Sequence, residues 1–184
     1  MMFAVTERLL LRPGWAEDAP ALSRAIGDEH IVRHLARAPW PYALGDAQRF
    51  LAQSHSPSRP SFLVTERNGA RIVGGVGLMA SEGEGEAELG YWIARDRWGR
   101  GYATEATRAV VAIADETLRL PRLVASHALD NPASGAVLRK AGFEATGGIG
   151  RLHSLGRGEE MEVRRFVRPR FGASVLDEET PLAA

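Results

Sequence analysis

A single α/β (α+β) domain built on a mixed central sheet is what this chain predicts, and three observations carry the expectation. Apolar runs of strand length and apolar stripes of helical period follow one another in the order β-α-α-β-β-β-α-β-α-β-β. Strand pairs precede a β-α-β-α unit, and the 184 residues run without an internal repeat or a linker. Strands paired early and crossed over late make a sheet with helices on its faces, here about seven strands and about four helices. A chain of this length is enough to bury one core.

The elements follow in order. Residues 9–12 are an apolar run stopped by Pro13-Gly14, and in 16–26 the residues Ala19, Leu22, Ala25 and Ile26 recur at helical spacing. The stretch 30–42 is polar and aromatic, and Pro39 and Pro41 deny it regular structure before a second helix over 46–53. Residues 61–65 and 71–78 are β-rich and flank Asn68-Gly69, the strongest short hairpin signal in the chain. Gly74, Gly75 and Gly77 weaken the second of these runs, which a bulge or a close backbone approach would explain. After the turn through Glu82, Glu84 and Glu86, residues 87–94 read as a strand that stops at Arg95-Asp96-Arg97. Gly99 and Gly101 then open a long helix in which Ala103, Ala106, Val110, Ile113 and Thr117 recur three and four residues apart, up to Pro121. Residues 123–128 are a strand. Asn131-Pro132 begins a helix, with an N-cap side chain and proline at the first helical position, and Gly142 ends it. Residues 143–149 and 162–167 close the sheet. The domain is expected to span 1–171, with 172–184 a small acidic tail expected to be disordered.

Composition narrows the chemistry. There is no cysteine, so disulfides, thiolate nucleophiles and cysteine metal sites are out. Twenty-three basic residues balance 23 acidic ones, which argues against a nucleic-acid binder held by phosphate neutralisation. Of the basic residues only Lys140 is lysine, as expected of a biased genomic composition. The longest aliphatic stretch, 109–114, is far short of the roughly 20 residues that cross a bilayer, and the start lacks the order of a secretion signal, so a cytoplasmic location and no membrane partner are expected. Histidines 30, 34, 55 and 153 are too scattered for a metal site, and none is expected.

The segment Trp98-Gly99-Arg100-Gly101-Tyr102-Ala103-Thr104-Glu105-Ala106 joins a strand to a helix N-terminus. Free backbone N–H groups there, with glycine allowing close approach, suit the oxygens of a pyrophosphate. The dinucleotide pattern fails because Thr104 stands where it needs glycine, and no Lys-Ser or Lys-Thr follows as in a P-loop.

Over about residues 5–168 the chain resembles the GCN5-related N-acetyltransferase superfamily, in particular its ribosomal-protein alanine N-acetyltransferase-like branch. The residues that carry the likeness are Thr6-Glu7-Arg8-Leu9, Pro39-Trp40-Pro41-Tyr42, Glu88-Leu89-Gly90-Tyr91-Trp92-Ile93, the loop from Trp98 to Ala106, Asp130-Asn131-Pro132-Ala133-Ser134, and Lys140-Ala141-Gly142-Phe143. Gly101 and Ala103 fit the last two positions of the family's acetyl-CoA loop. Trp98 replaces its first, Gln or Arg, which leaves Arg97 or Arg100 as the charged phosphate contact.

The resemblance implies the acyl-CoA N-acyltransferase fold and transfer of an acetyl group from acetyl-CoA to an amine. The pyrophosphate would lie on the backbone of Arg100, Gly101, Tyr102, Ala103 and Thr104, and the pantetheine arm along Ile93, Ala94 and Arg95. A backbone N–H where that strand splays from the next would polarise the thioester carbonyl. Glu88 is assigned as the general base, directly or through water. Strand alternation puts it on one face with Gly90, Trp92 and Ala94. Ser134 matches the family position that contacts the CoA sulfur. It stabilises the leaving thiolate better than it protonates it, since an alcohol is a poor acid. Asn131 is both N-cap and CoA-arm contact. His127 is the second candidate for the base. Trp40, Tyr42, Trp92 and His127 are the candidate acceptor contacts.

An α-amino group, with a pKa of about 8, holds far more neutral amine at pH 7 than a lysine, at about 10.4. A protein N-terminus therefore suits a carboxylate base, and small-molecule amines stay open. The rival expectations are a CoA-binding module without catalysis and a nucleotide-binding protein. The fold also allows two copies to pair through the closing strands as a homodimer, although no interface signature stands in the sequence.

Overall fold

A computed structural model describes residues 2–53, 56–81, 83 and 85–170. The expectation of a disordered tail over 172–184 falls outside the described residues, as do Glu82, Glu84 and His55. The strands are β1 (Ala4–Val5), β2 (Leu9–Arg12), β3 (Ser61–Glu66), β4 (Ile72–Ala80), β5 (Glu86–Ile93), β6 (Arg122–Ala128), β7 (Glu144–Ser154) and β8 (Glu159–Pro169). The helices are α1 (Ala19–Ile26), α2 (Glu29–Val32), α3 (Leu44–Ala52), α4 (Tyr102–Ala112) and α5 (Pro132–Lys140). One eight-stranded sheet runs β1-β2-β3-β4-β5-β6-β8-β7. Every neighbouring pair is antiparallel except β5 and β6.

Alternation along β3 shows how the sheet is buried on both sides. Phe62 and Val64 join the larger apolar cluster with Ala106 and Val110 of α4 and Leu138 of α5. Leu63, pointing the other way, joins Leu22 and Ile26 of α1 and Ala47 of α3. Helices α4 and α5 thus cover one face and α1 to α3 the other, so the middle strands carry near-continuous apolar runs.

The mixed sheet and the element order agree with the sequence, with one strand and one helix more than expected. Two-residue β1 is too short to leave a periodic signal. The four-residue α2, in the stretch expected to be irregular, forms because the Asp28 carboxylate caps it, accepting from His30 N at 2.8 Å. The long helix ends at Ala112 and continues as a π-helical turn, Ile113–Thr117, in which Leu118 N donates to Ile113 O. Both explanations offered for the β4 glycines hold. The register shifts between Val64 and Thr65, and a Cβ on Gly75 would stand 2.6 Å from the indole nitrogen of Trp92. The positive φ angles of the β3–β4 turn fall on Gly69 and Ala70, one residue later than an Asn-Gly turn would place them.

Candidate active site where two strands part

Parallel β5 and β6 are in register only from Glu86 opposite Arg122 to Glu88 opposite Val124. Beyond that they diverge, while β5 stays paired with β4 without interruption to Ile93 opposite Gly74. Ala94 N donates to Val73 O at 2.8 Å. Backbone groups of alternate residues point to opposite neighbours, so Trp92 and Gly90 bond toward β4 while Tyr91 and Ile93 aim N–H and C=O into the opening. This corrects the expectation for Ala94, whose N–H is spent on β4. It adds Tyr91, which register counting along the strand would have found. The Ile93 carbonyl in the opening accepts from the indole N–H of Trp98 at 2.7 Å.

Below the opening lies the glycine loop. Gly99 and Gly101 sit at φ of 75° and 78°, a left-handed conformation that disfavours side chains. Gly101 is the N-cap of α4, so the amides of Tyr102, Ala103 and Thr104 have no partner within the helix. Arg97 points away from the loop, its Nε on Glu66 Oε1 at 2.9 Å. The Arg100 side chain is exposed and has no ion pair among the described residues, whereas Arg97 is engaged by Glu66. The loop is held from outside by Arg8, a residue the expected site did not include. Its Nη1 donates to Arg100 O at 2.8 Å, and its Nε donates to Glu105 Oε2 at 2.7 Å.

On the α4–α5 side of the opening, Asn131 caps α5 by accepting from Ser134 N at 3.3 Å. The Ser134 hydroxyl lies 2.7 Å from the phenol of Tyr91, which also donates to Ser134 O at 2.9 Å. Burial pushes the Tyr91 pKa up to about 12 against the pull of that hydrogen bond. The phenol has one proton to serve the Ser134 carbonyl and hydroxyl oxygens, and when it donates to the hydroxyl the serine's own proton is free to point into the opening. Cap, serine and tyrosine form one rigid corner.

The opposite side holds Glu88, with Ser126 Oγ donating to its Oε1 at 3.4 Å. Trp92 and Tyr42 pack half-buried into the cluster of α1 to α3, and Trp40 is exposed beyond a cis Trp40–Pro41 bond. Burial, with Asp46 nearby, raises the Tyr42 pKa to about 12. The structure corrects the expectation for His127. Ser126 shares the Glu88 face, so His127 points through the other side of the sheet, where it is buried beside Phe166 with Nδ1 2.8 Å from Ala128 O. A Cβ on Gly135 of α5 would stand 2.6 Å from its Nε2, so the ring is a packing residue under that helix. Among the described residues no group of three or more His, Asp or Glu side chains is placed to hold a metal ion, and no helix is long and apolar enough to cross a membrane.

Residues 8–144 match the family model of the acetyltransferase (GNAT) domain. The chain is 27% identical over 170 residues to the uncharacterized N-acetyltransferase YoaA of Bacillus subtilis (strain 168), covering 90% of this chain and 96% of that protein. Its fold is similar to that of RimL, the ribosomal L7/L12 alpha-N-protein acetyltransferase, in complex with coenzyme A (TM-score 0.74, 20% identity, 92% of this chain and 98% of that one). It is similar too to spermidine N-acetyltransferase from Vibrio cholerae in complex with CoA and spermine (TM-score 0.75, 18% identity, 90% and 97%).

Proposed function

The chain belongs to the GNAT acetyltransferase family, and from that premise we propose that it moves an acetyl group from acetyl-CoA to a primary amine by direct attack within a ternary complex. The observation that carries the reading is the parting of β5 from β6 with Glu88 on one face and the Tyr91–Ser134 pair on the other. A thioester is already activated, so the amine can attack it without a protein nucleophile, in keeping with a chain that has no cysteine.

The residues divide the work by position. The free amides of Tyr102, Ala103 and Thr104, with the Arg100 side chain, would hold the pyrophosphate at the positive end of α4. The backbone of Tyr91 and Ile93 would receive the pantetheine arm, and an N–H there would stabilise charge as it grows on the carbonyl oxygen. Trp98 already occupies the Ile93 carbonyl, so cofactor binding at that atom requires the indole to yield or to remain as part of the wall. Glu88 would take the amine's proton, directly or through water. The Ser134 hydroxyl, aimed by Tyr91 and by the Asn131 cap, would donate a hydrogen bond to the departing thiolate. Trp40, Tyr42 and Trp92 border the acceptor side, and the acceptor is a protein N-terminal α-amino group or a small-molecule amine. The cytoplasm, where acetyl-CoA is at hand, is the proposed location.

Incubation with acetyl-CoA and a panel of amines, reading free thiol, tests the proposal. Amine-dependent thiol release is expected. Protection from heat by CoA with no thiol release for any amine would make the chain a CoA-binding module instead, and protection by ATP or NAD but not by CoA would make it a nucleotide-binding protein.

A further inference from the structure

The acceptor side of the opening is roofed by residues 33–42. Ala36 packs over Ala128 and Val163, and the Arg37 guanidinium lies 3.3 Å from the sulfur of Met79. Met79 is the cross-strand partner of Glu88 on β4, and residues directly opposite share a face. Met79 also reaches over Gly90, whose absent side chain leaves the space, since a Cβ there would be 2.8 Å from the Met79 methyl. Arg37 therefore stands over the floor where Glu88 lies.

A second arginine enters the same floor from the other side. Arg165 of β8 is opposite Ser126, whose hydroxyl is 3.4 Å from Glu88, and it lies across Gly150, where a Cβ would be 3.0 Å from its Nε. Other charges nearby are paired. Glu86 has Arg122 at 3.2 Å, and Asp130 has Arg157 at 2.9 Å together with Arg33 and His34. Among the described residues neither Arg37 nor Arg165 has an ion pair, and the side-chain hydrogen bond of Arg37 goes to a neutral thioether.

Resting on the transferase reading, we infer that Arg37 and Arg165 are specificity residues for an amine that carries its own carboxylate, a free amino acid or a peptide N-terminus followed by an acidic side chain. A guanidinium fork matches a carboxylate bidentately. A carboxylate held by either arginine, one over the β4 side of this floor and one over its β8 side, would leave the amine of the same molecule toward Glu88 and the thioester. The same arginines repel acceptors that are cationic away from the reacting amine, so polyamines are disfavoured by like charge.

The test compares kcat/KM for a neutral α-amino acid, its carboxamide, a dipeptide with an acidic second residue, and spermidine, each with saturating acetyl-CoA. The carboxamide holds more neutral amine at pH 7, so chemistry alone favours it. The inference expects the free acid or the acidic dipeptide to exceed the carboxamide at least tenfold and spermidine to be the poorest. In Arg37→Gln and Arg165→Gln, each shown to be folded by heat protection with CoA, the ratio of acid to carboxamide should fall at least several-fold, to one or below where recognition is lost. A wild-type ratio near one, or variants that lower both acceptors in parallel, overturns the inference while leaving acetyl transfer standing. No thiol release with any of the four contradicts the transferase reading and this inference with it.

Discussion

Tyr91 is where residue identity and strand position combine. As an odd-numbered member of β5 it aims its backbone into the opening, and its phenol crosses to Ser134. Its folded pKa lies above the unfolded value of 10.0, so its contribution to stability is complete below pH 10 and is lost as pH rises through about 12. Tyr91→Phe should remove part of the alkaline fall in Tm between those values, and it should lower kcat more than it raises the KM for acetyl-CoA. An unchanged kcat would show that the serine needs no orienting partner. At Gly135 two effects oppose each other. Alanine in a helix interior gains about 1 kcal/mol over glycine, but its Cβ would stand 2.6 Å from His127 Nε2, and overpacking costs about 1–3 kcal/mol. The clash wins because ring and helix are both fixed. Gly135→Ala should therefore lower Tm, and the loss should shrink when His127 is also replaced by alanine; a rise in Tm would mean that the ring yields.

At the scale of elements, the glycine loop depends on the start of the chain as much as on its own turn. Burial by itself would raise the Glu105 carboxyl, but hydrogen bonds from Thr6 and Arg8 outweigh it and hold the group below its ordinary value. Such a carboxylate stabilises the fold above pH 4.5, and the contribution is lost as pH falls through its lowered value. Glu105→Gln should flatten the acid side of the Tm profile in that window. Arg8→Ala should raise the KM for acetyl-CoA several-fold with kcat nearly unchanged, since Arg8 fixes the Arg100 carbonyl far from the acetyl group; equal losses in kcat and in kcat/KM would contradict that division. These contacts explain what was and was not legible beforehand. Gly99, Gly101 and the apolar stripe of α4 are local signals, readable one residue after another. The grip of Arg8 on residues 92 and 97 positions later is a tertiary contact with no periodicity to betray it, and α2 and β1 span about one period of their own pattern, too little for the period to repeat.

For the molecule as a whole, the order of strand pairs and crossovers was enough to foresee a mixed sheet covered on both faces. The parity of β5 was enough to put Glu88 with Gly90 and Trp92. What the pattern did not decide is which strand faces which helix, so His127, legible as a titratable side chain beside an N-cap, turned out to lie on the far face. Likewise Arg97 and Arg100 were indistinguishable as sequence and are separated by Glu66, which engages only the first. In the proposed reading two faces of one sheet would serve different partners, the α4–α5 side with its glycine loop and serine corner for the cofactor and the Glu88 side for the amine, and they would meet in the gap between β5 and β6. The measurement that bears most directly on this arrangement is the pH dependence of kcat for Glu88→Gln against the unaltered protein, at saturating acetyl-CoA with the best acceptor. The glutamine is isosteric but accepts no proton, so kcat should fall by about 10²–10⁴ near neutral pH, with the KM for acetyl-CoA held within about two-fold and the deficit narrowing as pH rises and more amine is already neutral. A kcat within about three-fold of the unaltered protein across the whole range would contradict the assignment of the acceptor face and of Glu88 as its base.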